Sequence, residues 1–175
     1  MLKKQKSSST EEHAVSFFGP ARHFQKAADL LPAADEELRD PINVLYFHAI
    51  ELALKAFLRV HNLPIVGDAA RKHHRLTDLY KECRELGLKI SVDDQTNIGN
   101  IVSLFDDANR NQRLRYFSMK GSALPEASWT RDVVEGLMAS VEPHVNLRAE
   151  QDGVIAGRAV KVDFVVSKPE EKRRK

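Results

Sequence analysis

Two basic segments hold the side chains that are the best candidates for binding a charged ligand. Guanidinium groups bind phosphate through paired hydrogen bonds, and a tyrosine ring stacks on nucleic-acid bases. The sequence therefore indicates a site for RNA, a nucleotide or another phosphate-bearing ligand, although charged surface loops explain the same composition. The candidate binding residues are Arg71, Lys72, His73 and Arg75 in the first segment, and Arg110, Arg113, Arg115 and Tyr116 in the second.

A third polar group lies on one strip, roughly 80° wide, of a helix predicted at 41–62. Glu51 and Lys55 stand four residues apart with the acid first, which is the favourable order for an ion pair on a helix. One interpretation is a salt-bridged strip on the helix surface. The alternative is that His48, Glu51 and Lys55 line a cleft shared with a neighbouring helix.

His48 and His74 are the two candidate catalytic residues. An imidazole can transfer a proton near neutral pH, but a single histidine on a helix more often has a structural role. The chain has no glycine-rich phosphate loop, GxSxG turn or HExxH sequence. Adjacent histidines at 73 and 74 point about 100° apart on a helix and lack a suitable carboxylate, so no metal site and no cofactor are predicted.

Length and composition predict one compact domain with a hydrophobic core. The chain has 175 residues, of which 42% are hydrophobic and 30% charged, and its net charge of +2 is too small to indicate nucleic-acid binding by itself. The single cysteine, Cys83, excludes an internal disulfide framework and is predicted to be buried. No uninterrupted apolar run approaches about 18 residues and no apolar segment follows the basic N-terminus, so a cytoplasmic protein without membrane spans is expected.

The helix predicted at 41–62 must be the central element, because it is apolar around most of its circumference. Asp40 is its predicted N-cap, Pro41 suits the first turn, and Asn62 with Pro64 ends it. Four more helices are predicted from apolar residues at helical spacing. The first spans 12–31 with a kink at Gly19-Pro20, and another spans 76–86 and is ended by Gly87. A third is capped by Ser91 or Asp93, and its apolar stripe is Ile98, Ile101, Val102, Phe105 and Ala108. The fourth is capped by Ser128 and is kinked or divided at Pro143; its apolar stripe is Val133, Val134, Leu137, Met138, Val141 and Val145.

The spacing of apolar residues changes from 3.6 to 2 after Asp152-Gly153. This alternation predicts a strand at 160–166, preceded by a short strand at 154–156 that would form a hairpin with it. The expected organisation is mainly α, with a bundle of four to five helices and a small β appendage. The parts are a disordered N-terminus at 1–8, the bundle at 9–150, the strand or hairpin at 151–167 and a charged tail at 168–175.

The stretch YFHAIELALKAFLRVHNLP resembles the signature central helix of HEPN-domain proteins, a family of small helical bundles. The supporting stretches FQKAADLL, HHRLTDLYKECRELGL and LRYF follow the order seen in that family, and the resemblance covers about residues 12–145. It implies a dimeric helical bundle. Many members are metal-independent ribonucleases, often toxins paired with a nucleotidyltransferase-like antitoxin, whereas members without the catalytic motif resemble RNA- or nucleotide-binding modules or interaction scaffolds.

The family's catalytic motif is an arginine followed, after four to six residues, by a histidine. Here Tyr116 stands at that spacing from Arg110, and no histidine follows the arginine cluster until His144. A phenol with a pKa near 10 is a poor general base at neutral pH. The resemblance therefore favours a non-catalytic homodimer that binds RNA or a phosphate ligand. The alternatives are a ribonuclease that uses His48 or His74 as its base, and a scaffold that binds only proteins.

Overall fold

The computed structural model of this chain is a bundle of helices, and it describes residues 13–63, 65, 75–90, 95–109, 114 and 124–154. Five helices lie within these ranges, and no strand does, so the prediction of a mainly α fold is confirmed. Val154, the only described residue of the two predicted strands, is not part of a strand. Residues 151–153 of the predicted appendage are the last residue of α5 and the turn after it. Residues 155–167 and the predicted terminal segments 1–8 and 168–175 lie outside the described residues. The helices are α1 (Ala14–Asp29), α2 (Arg39–Val60), α3 (Leu76–Glu85), α4 (Gln95–Ala108) and α5 (Ala127–Gln151).

Helix α2 is the centre of the bundle and packs against α1, α3 and α5. It begins two residues earlier than predicted, so Asp40 lies in the first turn and does not act as the N-cap. The reason is local: the turn at 35–38 continues directly into the helix, where the Ile42 amide donates to the Leu38 carbonyl at 2.9 Å. Most of the helix surface is buried, as its apolar circumference predicts.

One of the described helices, α2, is long and apolar enough to cross a membrane by its length and mean hydropathy. The sequence criterion of an uninterrupted apolar run did not identify it, because polar residues interrupt the helix. Of the most apolar 18-residue window of this helix, 67% is buried inside the bundle. Neighbouring helices therefore cover this apolar surface, and burial in the protein core accounts for its composition. The cytoplasmic location stays a prediction.

Three helices end in the same hydrogen-bonded turn. After α2, α3 and α5, a residue with positive φ is followed by one whose amide donates back to a carbonyl five residues earlier. Gly87, the predicted end of α3, is one of these residues, together with Asn62 and Gly153. Pro143 does not divide α5, because the buried side chains of Val141 and Val145 hold the helix against the bundle on both sides of it.

The predicted apolar stripes form the core. All the residues assigned to the stripes of α4 and α5 are buried. Cys83 is also buried, and its thiol donates to the Leu54 carbonyl oxygen at 3.4 Å. Burial raises the pKa of the Cys83 thiol, so this side chain is a structural hydrophobe and not a nucleophile.

Candidate nucleic-acid interface and its surroundings

The start of α3 is capped by a side chain from α4. The Asp106 carboxylate accepts hydrogen bonds from the Leu76 amide at 2.7 Å, the Thr77 amide at 2.9 Å and the Thr77 hydroxyl at 2.6 Å. The Asp106 side chain is only 6% exposed. It satisfies two of the four backbone N–H groups that lack a partner at the start of a helix, and it joins α3 to the end of α4.

This junction brings together the ends of the two basic segments. Arg75, the last residue of the first segment, lies with its Nε 3.8 Å from Asp106 Oδ2, while its side chain is 69% exposed. Asn109, which directly precedes Arg110, follows Asp106 by one helical turn. Leu114, in the middle of the second segment, is buried.

The remaining predicted binding residues are outside the described parts of the chain. They are Arg71, Lys72, His73, Arg110, Arg113, Arg115 and Tyr116, together with the candidate base His74.

The N–H groups of Leu76 and Thr77 are not available to a phosphate, because they bind Asp106. These two backbone donors therefore offer nothing to an anionic ligand at the start of α3. The negative charge of Asp106 also offsets the partial positive charge at this end of the helix. Basic side chains must therefore contribute most of the binding of a phosphate here.

Glu51 and Lys55 on α2 form the predicted ion pair. Lys55 Nζ lies 2.7 Å from Glu51 Oε1, and the Glu51 side chain is 8% exposed. The pair is therefore part of a half-buried, salt-bridged strip. Whether these residues also line a cleft stays a prediction.

The His48 ring packs between aromatic rings. Its centroid lies 5.2 Å from that of Phe24 and 5.4 Å from that of Phe47. Phe47 in turn contacts Phe105, the residue before Asp106, with a centroid distance of 5.9 Å. A row of rings thus crosses from α1 over α2 to the α3–α4 junction, and His48 is held in it by packing. His48 Nδ1 also lies 3.8 Å from Glu51 Oε2. The use of this ring as a general base stays a prediction.

A polar pocket of about 190 Å³ occurs at the other end of α2. Arg148 donates from Nε to Asp152 at 2.6 Å and from Nη1 to the Val60 carbonyl at 3.2 Å. His13 lies with Nε2 3.0 Å from Asp152, and its Nδ1 accepts from the Val15 amide at 3.3 Å. The hydrogen bond from Arg148, followed by that from His13, lowers the pKa of Asp152. We call this the end pocket; it is lined by His13, Ala14, Arg59, Asn62, Arg148 and Asp152.

Two further polar contacts hold the opposite end of the bundle together. The Tyr46 hydroxyl donates to Asp29 Oδ1 at 2.7 Å and accepts from Arg131 Nε at 3.1 Å. Burial, and then the hydrogen bond to Asp29, raise the pKa of Tyr46 to about 12, so its hydroxyl stays protonated. The amide group of Asn43, which is fully buried, bonds to the loop before α5 and to Thr130.

No protein-family model, curated protein or solved structure matches this chain. The resemblance to HEPN-domain proteins therefore stays a prediction from the sequence. Among the described residues, no three His, Cys, Asp or Glu side chains are grouped so that they could hold a metal ion.

A pair of histidines beside the end of α2 should make stability depend on pH. The His61 and His144 rings both contact Phe57, with centroid distances of 4.9 and 5.0 Å. Partial burial, and then the charge of His144, lower the pKa of His61. Since the folded-state pKa lies below the unfolded value of about 6.5, the protein should lose stability as the pH falls through that folded-state value.

His144→Gln should make this loss smaller, because it removes one of the two causes of the lowered pKa. The measurement is urea unfolding at about pH 7.5 and pH 5. His23→Gln, which changes an exposed histidine on α1, is the control and should keep the pH dependence of the wild type. An equal pH dependence in His144→Gln and wild type would contradict the coupling between the two rings.

Proposed function

We propose that this protein is a non-catalytic, HEPN-like homodimer that binds RNA or another phosphate-bearing ligand through a basic surface at the junction of α3 and α4. The basic surface consists of Arg71, Lys72, His73, Arg75, Arg110, Arg113, Arg115 and Tyr116. The observation that supports it is the contact of Asp106 with Leu76 and Thr77, because this contact joins the ends of both basic segments at one place. The proposal includes a role in a toxin–antitoxin or defence system with a nucleotidyltransferase-like partner, because the resemblance to HEPN-domain proteins implies one.

The charge distribution at the junction favours a polyanion over a single phosphate. Asp106 occupies two of the backbone donors at the start of α3 and adds a negative charge. Affinity must then come from several side chains that each contact a different phosphate, as in the binding of a nucleic-acid strand. Arg75 forms an ion pair with Asp106 at 3.8 Å, which is longer than a hydrogen bond, and its side chain is 69% exposed, so its guanidinium can also contact a phosphate.

The lack of the arginine-to-histidine motif supports a binding function without hydrolysis. Tyr116 replaces the imidazole that the family uses as its base. His48, the described candidate for a substitute base, is packed between Phe24 and Phe47. We therefore expect RNA to remain intact when it is incubated with the purified protein.

Arg113→Ala/Arg115→Ala tests the proposal. We expect the double variant to bind a single-stranded RNA oligonucleotide at least about tenfold more weakly than the wild type, because two phosphate contacts are lost. The slope of log K against log salt should become shallower by about 1.4, since each contact on a single strand contributes about 0.7. Filter binding over a series of salt concentrations measures both quantities.

The matched control is Lys26→Ala/Lys89→Ala, which removes the same charge from exposed positions on α1 and after α3. It should change the RNA affinity much less than the arginine pair does. Equal losses in the two double variants, or an affinity that does not fall with salt, would contradict the proposed surface. If the wild type cleaves the RNA and His48→Ala or His74→Ala does not, the ribonuclease alternative is established instead. Sedimentation of the same samples tests whether the protein is a dimer.

A further inference from the structure

Two histidines from different helices meet over one buried aromatic ring. We infer that His61 and His144 together bind one divalent metal ion of the kind that prefers imidazole nitrogen, such as Zn²⁺ or Cu²⁺. His61 directly follows the last residue of α2 and His144 lies on α5, so the ion links these two helices. The inference does not depend on the proposed function, because neither histidine belongs to the basic surface.

Both rings lie on the solvent side of Phe57. The Phe57 side chain is fully buried, whereas His61 and His144 are exposed. The centroid of the Phe57 ring lies 4.9 Å from that of His61 and 5.0 Å from that of His144. Two rings that contact the same side of a third ring are neighbours, so rotation of these exposed side chains can bring one nitrogen of each within about 2.0–2.1 Å of a shared ion.

The nitrogen atoms of this pair are free to bind an ion. Within the described parts of the chain, neither ring of the pair forms a hydrogen bond or an ion pair, and their contacts are those with Phe57. Other described histidines are already engaged. His13 uses both of its nitrogens in hydrogen bonds, and His48 Nδ1 lies 3.8 Å from Glu51. The pair over Phe57 therefore stands apart as a set of unused metal ligands.

The protonation state of the pair suits a cation. A metal ion binds the neutral form of imidazole, and protons compete with it. Partial burial, and then the charge of His144, lower the pKa of His61, so the His61 ring is neutral at pH 7. Arg148 lies one turn after His144 on α5, but its guanidinium is paired with the Asp152 carboxylate, and the two charges offset each other.

The ligand set defines the class of ion and the strength of binding. Imidazole nitrogen suits Zn²⁺, Cu²⁺ and Ni²⁺, whereas Mg²⁺ and Ca²⁺ prefer oxygen ligands. Structural zinc sites have four protein ligands and catalytic ones have three. A site with two histidines, completed by water, must therefore bind its ion more weakly than either kind and exchange it more readily.

Titration of the ¹⁵N-labelled full chain with ZnCl₂, with MgCl₂ as the reference, tests the inference at about pH 7.5, where histidine is mostly neutral. We expect Zn²⁺ to shift the ring nitrogen signals of His61 and His144 along one common saturation curve, and Mg²⁺ to leave them in place. Separate curves for the two rings, or shifts no larger than those of the exposed His23 on α1, would overturn it.

Single substitutions distinguish one shared ion from two separate weak sites. In a shared site, His144→Gln should weaken Zn²⁺ binding at His61 at least about tenfold, because the second ligand no longer acts at high effective concentration. His61→Gln should do the same at His144, and His23→Gln, the matched control, should leave the pair like the wild type. Both substituted side chains are exposed, so the variants should keep the amide spectrum of the wild type. Unchanged Zn²⁺ affinity at the remaining ring of each single variant would contradict the site.

Discussion

Asn43→Asp is expected to lower the free energy of unfolding by about 3 to 5 kcal/mol near neutral pH. The Asn43 side chain is fully buried, and its Nδ2 donates to the carbonyl oxygens of Arg39 and Pro125, both at 3.0 Å. Aspartate has nearly the same shape, but its second oxygen would face those two carbonyl oxygens. A buried carboxylate that meets two acceptors recovers little of its lost hydration, since the Thr130 hydroxyl, 3.2 Å from Asn43 Oδ1, is the side-chain donor seen at this group among the described residues.

The pH dependence of Asn43→Asp distinguishes this cause from a simple packing defect. Burial among acceptors should raise the folded-state pKa of the new carboxyl group above its unfolded value. The loss of stability should therefore be largest above the folded-state pKa and become smaller as the pH falls below it. This is opposite in sign to the effect expected for His61.

Urea unfolding of Asn43→Asp at several pH values measures both the size and the sign of the effect. Asn100→Asp, which makes the same change at an exposed position on α4, should stay within about 0.5 kcal/mol of the wild type. A loss in Asn43→Asp that does not vary with pH would show that the buried charge is not its source.

Asp106→Ala should lower the free energy of unfolding by about 2 to 3 kcal/mol. The substitution removes the three hydrogen bonds that join α4 to the first turn of α3, and it leaves the amide of the buried residue Leu76 without its acceptor. Asp106→Asn keeps one acceptor oxygen, so it should have an intermediate effect. Thermal and urea unfolding measure the series.

Asp132→Ala, at an exposed position on α5, is the matched control for Asp106→Ala and should change stability by less than about 0.5 kcal/mol. Amide hydrogen exchange adds a local readout, because loss of the cap should speed the exchange of the Leu76 and Thr77 amides more than that of α5. If Asp106→Ala and Asp132→Ala are equally stable, the contact between helices does not stabilise the junction.

The helices and their buried faces could be predicted from local pattern. Apolar residues at helical spacing identified the stripes of α4 and α5, and Gly87 marked the end of α3 because a residue with positive φ was needed there. The apolar circumference of α2 indicated its central position. Each of these signals lies within one segment of the chain, where the period of a helix relates sequence to position.

The contacts that connect the helices could not be predicted in the same way. Asp106 caps a helix that begins thirty residues earlier, and no local spacing relates the two. The end pocket joins His13 to Asp152, which are 139 residues apart in the sequence. The hydrogen bond from Asn43 to the loop before α5 could not be predicted either, because its partner Pro125 lies 82 residues away in the sequence. The candidate binding surface depends on such long-range contacts, and so do the buried polar contacts between helices.

The apolar character of α2 also has a consequence during synthesis. Helix α1 is made before it and covers one side, but α5, which covers another, is completed roughly 90 residues later. At translation rates of about 5–20 residues per second, this delay lasts about 5–18 s. For that time the nascent chain exposes part of a helix with the length and hydropathy of a membrane span. Completion of α5 thus ends the period in which this side of α2 is uncovered.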